Sequence, residues 1–323
     1  MKKVIITADD YGVIPSIDKA IIEALQKKKI NSVAAFSNYD GIAGKFNSSM
    51  ENARILLEKT NGKVDLGCHL TITSGKPVTG DKANSLVNEE GDFRDITEFK
   101  RDVDRMQLRN ELNEQIMRFK DAGFPISHLS CHHNVLTLFP EIYGEYLKVC
   151  RNHQLAIRSH ISKPSKRYNL YLKILSLQLS DGDLDRHDRK SMRHFCKEIG
   201  TFFKNVTHGK IATTDYFESR HYGPLPMRTI RPKNISNIIT KKHKVLRRVF
   251  SDFRKGNADS MEIVCHIAKD NLSKMKSYKE VEKTGYSGVE PKYFDSRVAE
   301  FFSIMNFDSN QYDDVSMGKW SEV

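Results

Sequence analysis

The sequence has no apolar stretch near the roughly 20 residues that a membrane-spanning helix needs. It shows no signal-peptide pattern either, because Lys2-Lys3 is followed by only a few apolar residues before Asp9-Asp10. The five cysteines are widely spaced and include no Cys-x-x-Cys pair, which indicates reduced thiols and not a disulfide framework. Internal repeats and low-complexity tracts are also missing. These absences predict a cytoplasmic protein with no membrane partner.

Positive charge is concentrated in one part of the chain. The net charge is +11, and residues 160–256 contain 22 Lys and Arg against 8 Asp and Glu. Such a surface can attract an anionic partner such as nucleic acid. A solvated face of lysine-rich helices explains the same pattern, and aromatic residues are not interleaved as a single-strand binding platform needs. We favour the solvated face, and we do not expect nucleic acid as a partner.

Short apolar segments alternate with helical patterns along the chain. This order favours a parallel sheet, and the 323 residues are enough for one large barrel-type domain or for two smaller ones. Helices are predicted at 50–57, at 96–120 and from Pro15 onwards. The predicted strands are 4–6, 32–36, 64–68, 126–131, 156–158, 210–214 and 261–265.

We expect a single α/β domain over residues 1–306. A basic helical insertion is predicted at about 160–256, and a polar, loosely ordered tail at 307–323. Within the insertion, the apolar segment 168–179 suits either a cover over the barrel mouth or the interface of a homodimer.

Two adjacent carboxylates, Asp9 and Asp10, follow the apolar run Val4-Ile5-Ile6. Neighbouring carboxylates repel each other and are costly to desolvate, which indicates a metal ion, a proton or a cation beside them. Capping of the next helix explains the pair equally well when it is considered alone.

Polar residues also follow the other predicted strands. The carboxyl ends of parallel strands share one face of a sheet, and that face carries the active site in barrels. Several histidines and aspartates are therefore expected to converge there. These residues are His69, His132, His133, Arg158, Asp215 and His266.

One carboxylate and two imidazoles suit a divalent transition metal such as zinc. Asp10, His69 and His132 come from three different strand ends, as a convergent site requires. A water on such a metal has a lowered pKa, and Asp9 beside the ligand can take its proton. His266 is the natural candidate for the acid that protonates a leaving amine. Together these residues describe metal-assisted hydrolysis of an amide or ester.

Six segments of the chain resemble the YdjC-like carbohydrate deacetylases, which include the chitooligosaccharide deacetylases. They occur in family order and are Thr7–Gly12, Gly67–Thr73, Ser127–His133, Thr213–Phe217, Glu262–His266 and Arg297–Phe301. The resemblance implies an irregular (β/α) barrel of the glycoside hydrolase/deacetylase type. It also implies a hydrolase that removes acetyl from N-acetylated sugars with one divalent metal ion, Mg²⁺ or Zn²⁺.

The resemblance assigns roles by position. It makes Asp10, His69 and His132 the metal ligands and Asp9 the base. It makes His266 the acid or oxyanion partner, and it places Arg297 near the site, where it would orient Asp9. The sugar pocket needs polar and aromatic contacts, for which we consider Arg158, Asp215, Tyr216 and Tyr222.

The chain departs from the family pattern at three places. Ser130 and Asn134 stand where an aspartate and a second histidine are usual, and His266-Ile267-Ala268 replaces His-Pro-Gly. Changed neighbours of metal ligands typically alter metal affinity or activity by about one or two orders of magnitude. They also predict a divergent substrate pocket. His133 is considered a neighbour of the ligands, and His128 is expected to pack within its strand.

Two other functions stay open. A catalytically weakened family member would bind a glycan or an anionic partner without turnover, although retention of both aspartates and all three ligands argues against it. A metal-dependent phosphoesterase or nuclease would use the same cation. That class typically needs more carboxylates to bridge two metals, and the sequence does not offer them.

Overall fold

A curled parallel β-sheet forms a half-barrel at the centre of the single domain, and helices surround it. The computed structural model describes residues 1–42, 46–96, 98–99, 102–137, 140–158, 211–218, 235–270, 286 and 291–323. The strands are β1 (Lys2–Tyr11), β2 (Ser32–Ala35), β3 (Asp65–Leu70), β4 (Ile126–Cys131), β5 (Ala156–Ile157), β6 (Tyr216–Glu218), β7 (Ser260–Cys265) and β8 (Val315–Met317). Their order across the sheet is β5-β4-β3-β2-β1-β7-β6, and β8 pairs with β1. The predicted α/β, barrel-like fold is confirmed.

The curl of the sheet brings its two edges close together. Residues 211–218 lead into β6 at one edge, and the Ile157 N–H in β5 at the other edge donates to the carbonyl of Ala212 (2.9 Å). Val4, Ile5 and Ile6 in the central strand are completely or almost completely buried, as their β-branched run predicts for a strand covered on both faces.

The helices are α1 (Pro15–Gln26), α2 (Ser49–Lys59), α3 (Arg105–Asp121), α4 (Pro140–His153), α5 (Ile235–Lys255) and α6 (Pro291–Met305). Pro15 starts α1, where a missing backbone N–H costs nothing. The predicted helix 96–120 begins later, at Arg105, because the Asp104 side chain accepts hydrogen bonds from the backbone N–H groups of Met106 and Gln107 and caps the helix there.

The chain after Phe307 is ordered, so the prediction of a loosely ordered tail is wrong. β8 adds to the first residues of β1, with Lys3 opposite Ser316. Trp320 is buried, its backbone N–H donates to Asp65 Oδ2 (2.6 Å), and its ring stacks on His128 at 4.6 Å. The apolar indole fills the amino end of the half-barrel, and this burial orders a segment whose composition is polar.

Most of the predicted insertion at 160–256 lies outside the described residues, including the apolar segment 168–179 and Tyr222. The domain boundaries therefore stay predictions. α5 belongs to this part of the chain and packs on α6. None of the helices in the described ranges is both long and apolar enough to cross a bilayer.

Candidate metal and catalytic site

A β-bulge in β1 directs Asp9 and Asp10 toward the same site. Consecutive side chains of a regular strand point to opposite faces. Here Ala8 pairs with Val33 and Tyr11 with Ala35, so β1 has one residue more than β2 over this interval. Asp10 occupies the left-handed region with φ +68°. The extra residue and the turn at Asp10 bring both carboxylates beside the same imidazole, that of His69.

Asp10, His69 and His132 form a buried cluster of three side chains that can bind a metal, one carboxylate and two imidazoles. Asp10 Oδ1 lies 3.3 Å from His69 Nε2 and 3.2 Å from His132 Nδ1. The three ligand atoms all lie within 4.8 Å of one another. Asp10 comes from β1, His69 from the end of β3, and His132 directly follows β4. The structure therefore brings together the three residues predicted as ligands.

The donor atoms of this cluster fit a divalent cation. Asp10 Oδ1 and His69 Nε2 are buried, and their close contacts with each other and with His132 Nδ1 lack the geometry of hydrogen bonds, so among the described residues neither atom has a well-formed partner. Buried polar atoms without partners are rare because they lose the free energy of hydration. A cation held by these atoms would compensate for that loss. The mixed nitrogen and oxygen donors suit zinc or a similar divalent ion.

The second oxygen of Asp10 is held by two donors. Asp10 Oδ2 accepts hydrogen bonds from Arg297 (2.7 Å) and from the Tyr286 hydroxyl (2.8 Å). Burial alone would raise the pKa of Asp10, but Arg297 and the two histidines hold this pKa well below its usual value. The predicted contact of Arg297 with Asp9 is thus replaced by a contact with Asp10.

Arg158, and not Arg297, is the partner of Asp9. Its guanidinium donates to both oxygens of Asp9, at 2.5 and 2.8 Å, and to Glu262 Oε1 at 2.9 and 2.7 Å. Burial alone would raise the pKa of Asp9, but the charge of Arg158 more than offsets it and lowers this pKa. Burial raises the pKa of Glu262. Asp9 is consequently ionised at neutral pH and fixed in orientation.

His266 lies between the two aspartates and α6. Its Nε2 is 3.8 Å from Asp9 Oδ2 and 3.9 Å from Asp10 Oδ2. Its backbone N–H donates to Glu300 Oε1 (3.0 Å), and Glu300 pairs with the buried Lys242 of α5 at 3.1 Å. Burial lowers the pKa of His266 to about 4, so the imidazole is neutral at pH 7.

His133 lies outside the ligand cluster. Its Nδ1 is 3.1 Å from Thr73 Oγ1, and its ring lies 3.9 Å from that of His132. His133 and Asn134 both have positive φ, +54° and +58°, which makes the sharp turn after His132. His128 is buried in β4, where its Nδ1 lies 2.9 Å from Ser127 Oγ, and its ring stacks on Trp320 near the end of the chain.

The residues predicted to contact the sugar have other partners or lie elsewhere in the sheet. Arg158 faces Asp9 and Glu262, so its charge is already paired. Asp215 lies at the opposite end of the sheet. The predicted strand ended at residue 214, just before Asp215, but the observed strand begins just after it, at Tyr216. There Asp215 Oδ2 accepts from the backbone N–H groups of Asp259 and Ser260. Tyr216 is in register with Met261, also near the amino end of β7, and donates to Glu218.

Three residues of the site were not predicted from the sequence: Glu262, Tyr286 and Glu300. Glu262 is a charged residue inside the buried apolar strand β7, and that anomaly was a usable signal. The sequence around Tyr286 and Glu300 offers no comparable anomaly, because their roles depend on contacts with Asp10 and His266.

A model of the YdjC-like protein family matches residues 3–301. The chain belongs to the YdjC-like family. Curated relatives include a carbohydrate deacetylase of Listeria monocytogenes EGD-e, 32% identical over 162 residues, and one of Enterococcus faecalis V583, 33% identical over 161 residues. Each match covers 49% of this chain, and the matches span 61% and 58% of the relatives' own lengths.

A solved structure has a similar fold. It is a protein of Enterococcus faecalis V583 described as a cellobiose-phosphate cleavage protein. It aligns with a TM-score of 0.64 at 21% identity and covers 99% of this chain and 98% of its own. At this identity the likeness concerns the fold alone.

Proposed function

We propose that this YdjC-like protein hydrolyses the acetamide of an N-acetylated sugar or short oligosaccharide, using one divalent metal ion, Mg²⁺ or Zn²⁺. The observation that carries the proposal is the buried Asp10–His69–His132 cluster with a second ionised carboxylate, Asp9, directly beside it. The names of the relatives, carbohydrate deacetylases, agree with it. A cytoplasmic location and a homodimer stay predictions from the sequence.

Asp10, His69 and His132 would hold the ion through Oδ1, Nε2 and Nδ1. When bound, such an ion lowers the pKa of a water and polarises an acyl carbonyl. Asp9 Oδ2 lies 4.0 Å from His69 Nε2, which places it next to the cluster, where it can accept a proton from an attacking water. Arg158 keeps Asp9 ionised and oriented.

His266 would transfer the proton to the leaving amine. Its imidazole is neutral at pH 7, so it must first accept a proton before it can donate one. Asp9 Oδ2 is 3.8 Å from His266 Nε2, a distance that a small movement or one water can bridge. The proton lost by the water then ends on the sugar amine, and the acetyl group leaves as acetate.

One observation favours a second function, glycan binding without turnover. Both oxygens of Asp9 accept hydrogen bonds from Arg158, which weakens Asp9 as a base. A protein of this kind would bind the metal and the sugar but would release no acetate.

Acetate release from di-N-acetylchitobiose separates these functions. Metal-stripped protein is assayed with Mg²⁺, Mn²⁺, Co²⁺ or Zn²⁺ added back, and metal binding is measured in parallel. We expect Asp10→Ala to lose both metal and activity, and Asp9→Asn to keep the metal while turnover falls about 10²–10⁴-fold. Asp40→Asn, an exposed aspartate paired with Arg118, is the matched control.

The results that contradict the proposal are distinct. Full activity of Asp9→Asn would exclude Asp9 as the base. Tight metal binding without acetate from any N-acetyl sugar would support the binding function. Absence of metal binding by the wild-type protein would exclude both proposed functions, the metal-dependent hydrolysis and the glycan binding that also uses the metal.

A further inference from the structure

Ser130 contacts the proposed metal ligand His69 at the ring nitrogen that faces away from Asp10. Its Oγ lies 2.7 Å from His69 Nδ1, and both side chains are buried. We propose that Ser130 is a positioning residue that sets the metal affinity of the site by fixing the ring orientation of His69 and accepting the Nδ1 proton of its metal-binding tautomer. This inference rests on the proposed function, since it concerns the same metal cluster.

The tautomer follows from the geometry of His69. Nε2 faces Asp10 Oδ1 at 3.3 Å, and it can bind a cation only when it carries no proton. The single proton of the neutral ring must then be on Nδ1, which donates it to Ser130 Oγ. The serine hydroxyl can pair with either tautomer, and in this one it accepts the Nδ1 proton and keeps Nε2 directed at Asp10.

The position of the hydroxyl is fixed by the sheet. His69 and Ser130 are register partners in the parallel pair of β3 and β4, so their side chains point to the same face. The ring of Phe36 packs edge-on against the His69 ring at 5.0 Å and restricts it from another side. Loss of the Ser130 hydroxyl would leave Phe36 in place but would remove the hydrogen-bond partner of Nδ1.

The serine also keeps the charge of the site low. A hydroxyl is a neutral acceptor, and bonds from a ligand histidine to a neutral group are weaker than bonds to a carboxylate. Asp10 is the sole carboxylate of the cluster found among the described residues, and its second oxygen is held by Arg297.

The test measures metal affinity without any assay of activity. The metal-stripped full chain is titrated with Zn²⁺ in competition with a chromophoric chelator. We expect Ser130→Ala to weaken binding about 10–100-fold, the usual effect of removing the partner of a ligand histidine. Ser130→Thr retains a hydroxyl and should bind within a few-fold of wild type. Ser32→Ala removes a buried hydroxyl of β2 that has no hydrogen-bond partner among the described residues, and it should change nothing.

A second readout separates positioning from a general loss of structure. The ¹⁵N chemical shifts of the His69 ring in the Zn²⁺-loaded chain report the hydrogen bond at Nδ1, and Ser130→Ala should change them while Ser32→Ala leaves them as in wild type. Wild-type affinity and unchanged ring shifts in Ser130→Ala would overturn this inference. Failure of the wild-type chain to bind Zn²⁺ would instead overturn the proposed metal site itself.

Discussion

Arg158 donates one hydrogen bond to each carboxylate oxygen of Asp9, at 2.5 and 2.8 Å. The same guanidinium reaches Glu262 in β7, so one cation from the end of β5 links two strands across the half-barrel. All three side chains are buried. The pairing serves stability and chemistry together, because it fixes the fold of the sheet and the orientation of the proposed base.

We expect Arg158→Met to lower the free energy of unfolding by about 3–5 kcal/mol, because it leaves two carboxylates buried without their cation. Arg118→Met is the control, since Arg118 pairs with the exposed Asp40, and it should cost less than about 1 kcal/mol. Chemical denaturation measures both. Equal losses of unfolding free energy in the two variants would show that the buried ion pairs of Arg158 stabilise the fold no more than an exposed pair does.

His266→Ala should retain the metal and lose turnover. His266 Nε2 lies 3.8 and 3.9 Å from the carboxylate oxygens and is not part of the ligand cluster. Its removal should lower the rate of acetate release about 10²–10⁴-fold, the usual contribution of a general acid. His153→Ala, on the partly exposed end of α4, is the control. If the His266→Ala variant failed to bind the metal, His266 would be a metal ligand and not the general acid.

Asp18 should make stability depend on pH. Burial raises the pKa of Asp18 to about 7, and its Oδ1 accepts the N–H of Gly12 at 2.7 Å. Between about pH 4 and 7 the folded chain keeps a proton that the unfolded chain has released, so this group lowers stability as pH rises. Asp18→Asn retains the acceptor and cannot ionise. It should be more stable than wild type at pH 8, by up to about 4 kcal/mol, and equal to it near pH 4.

Thermal or chemical unfolding across pH 4–8 measures this difference. Asp40→Asn, at an exposed aspartate, should follow the wild-type curve. A constant difference between Asp18→Asn and wild type over the whole range would mean that Asp18 has an ordinary pKa.

Substitution by alanine should lower the stability of the protein at Gly67 and raise it at Gly144. A Cβ at Gly67 would overlap the ring of His128, whereas a Cβ at Gly144 meets no atom within 4 Å. Gly67→Ala should therefore cost about 1–3 kcal/mol or more through overpacking. Gly144 lies inside α4, and Gly144→Ala should stabilise the protein by about 0.5–1 kcal/mol. A neutral Gly67→Ala would mean that the ring of His128 can move aside.

The ligands could be predicted because their signals are local. Polar residues stand at or just after the carboxyl ends of β1, β3 and β4, and their placement depends mainly on where each strand ends. Asp10, His69 and His132 follow from this rule. The rule failed at Asp215, because residues 211–214 have the composition of a strand although the strand begins at Tyr216.

Contacts across the half-barrel could not be predicted from these patterns. The bulge that aligns Asp9 with Asp10 depends on the register of β1 against β2. The pairing of Arg158 with Asp9 joins residues 149 positions apart and requires the curl of the sheet. Trp320 orders the polar chain end by packing on His128, which local composition does not reveal.

The pairing of β1 with β7 and β8 has a consequence for biosynthesis. β1 precedes every other described strand along the chain, yet β7, which covers its second edge, and β8, which pairs with its first residues, lie at residues 260–265 and 315–317. At about 5–20 residues per second, a ribosome needs roughly ten seconds to a minute to reach them. During that interval β1, with its buried Val4-Ile5-Ile6 run, has β2 as its sole early partner in the described sheet. Chaperone demand and aggregation during expression should therefore depend on the speed at which the second half of the message is translated.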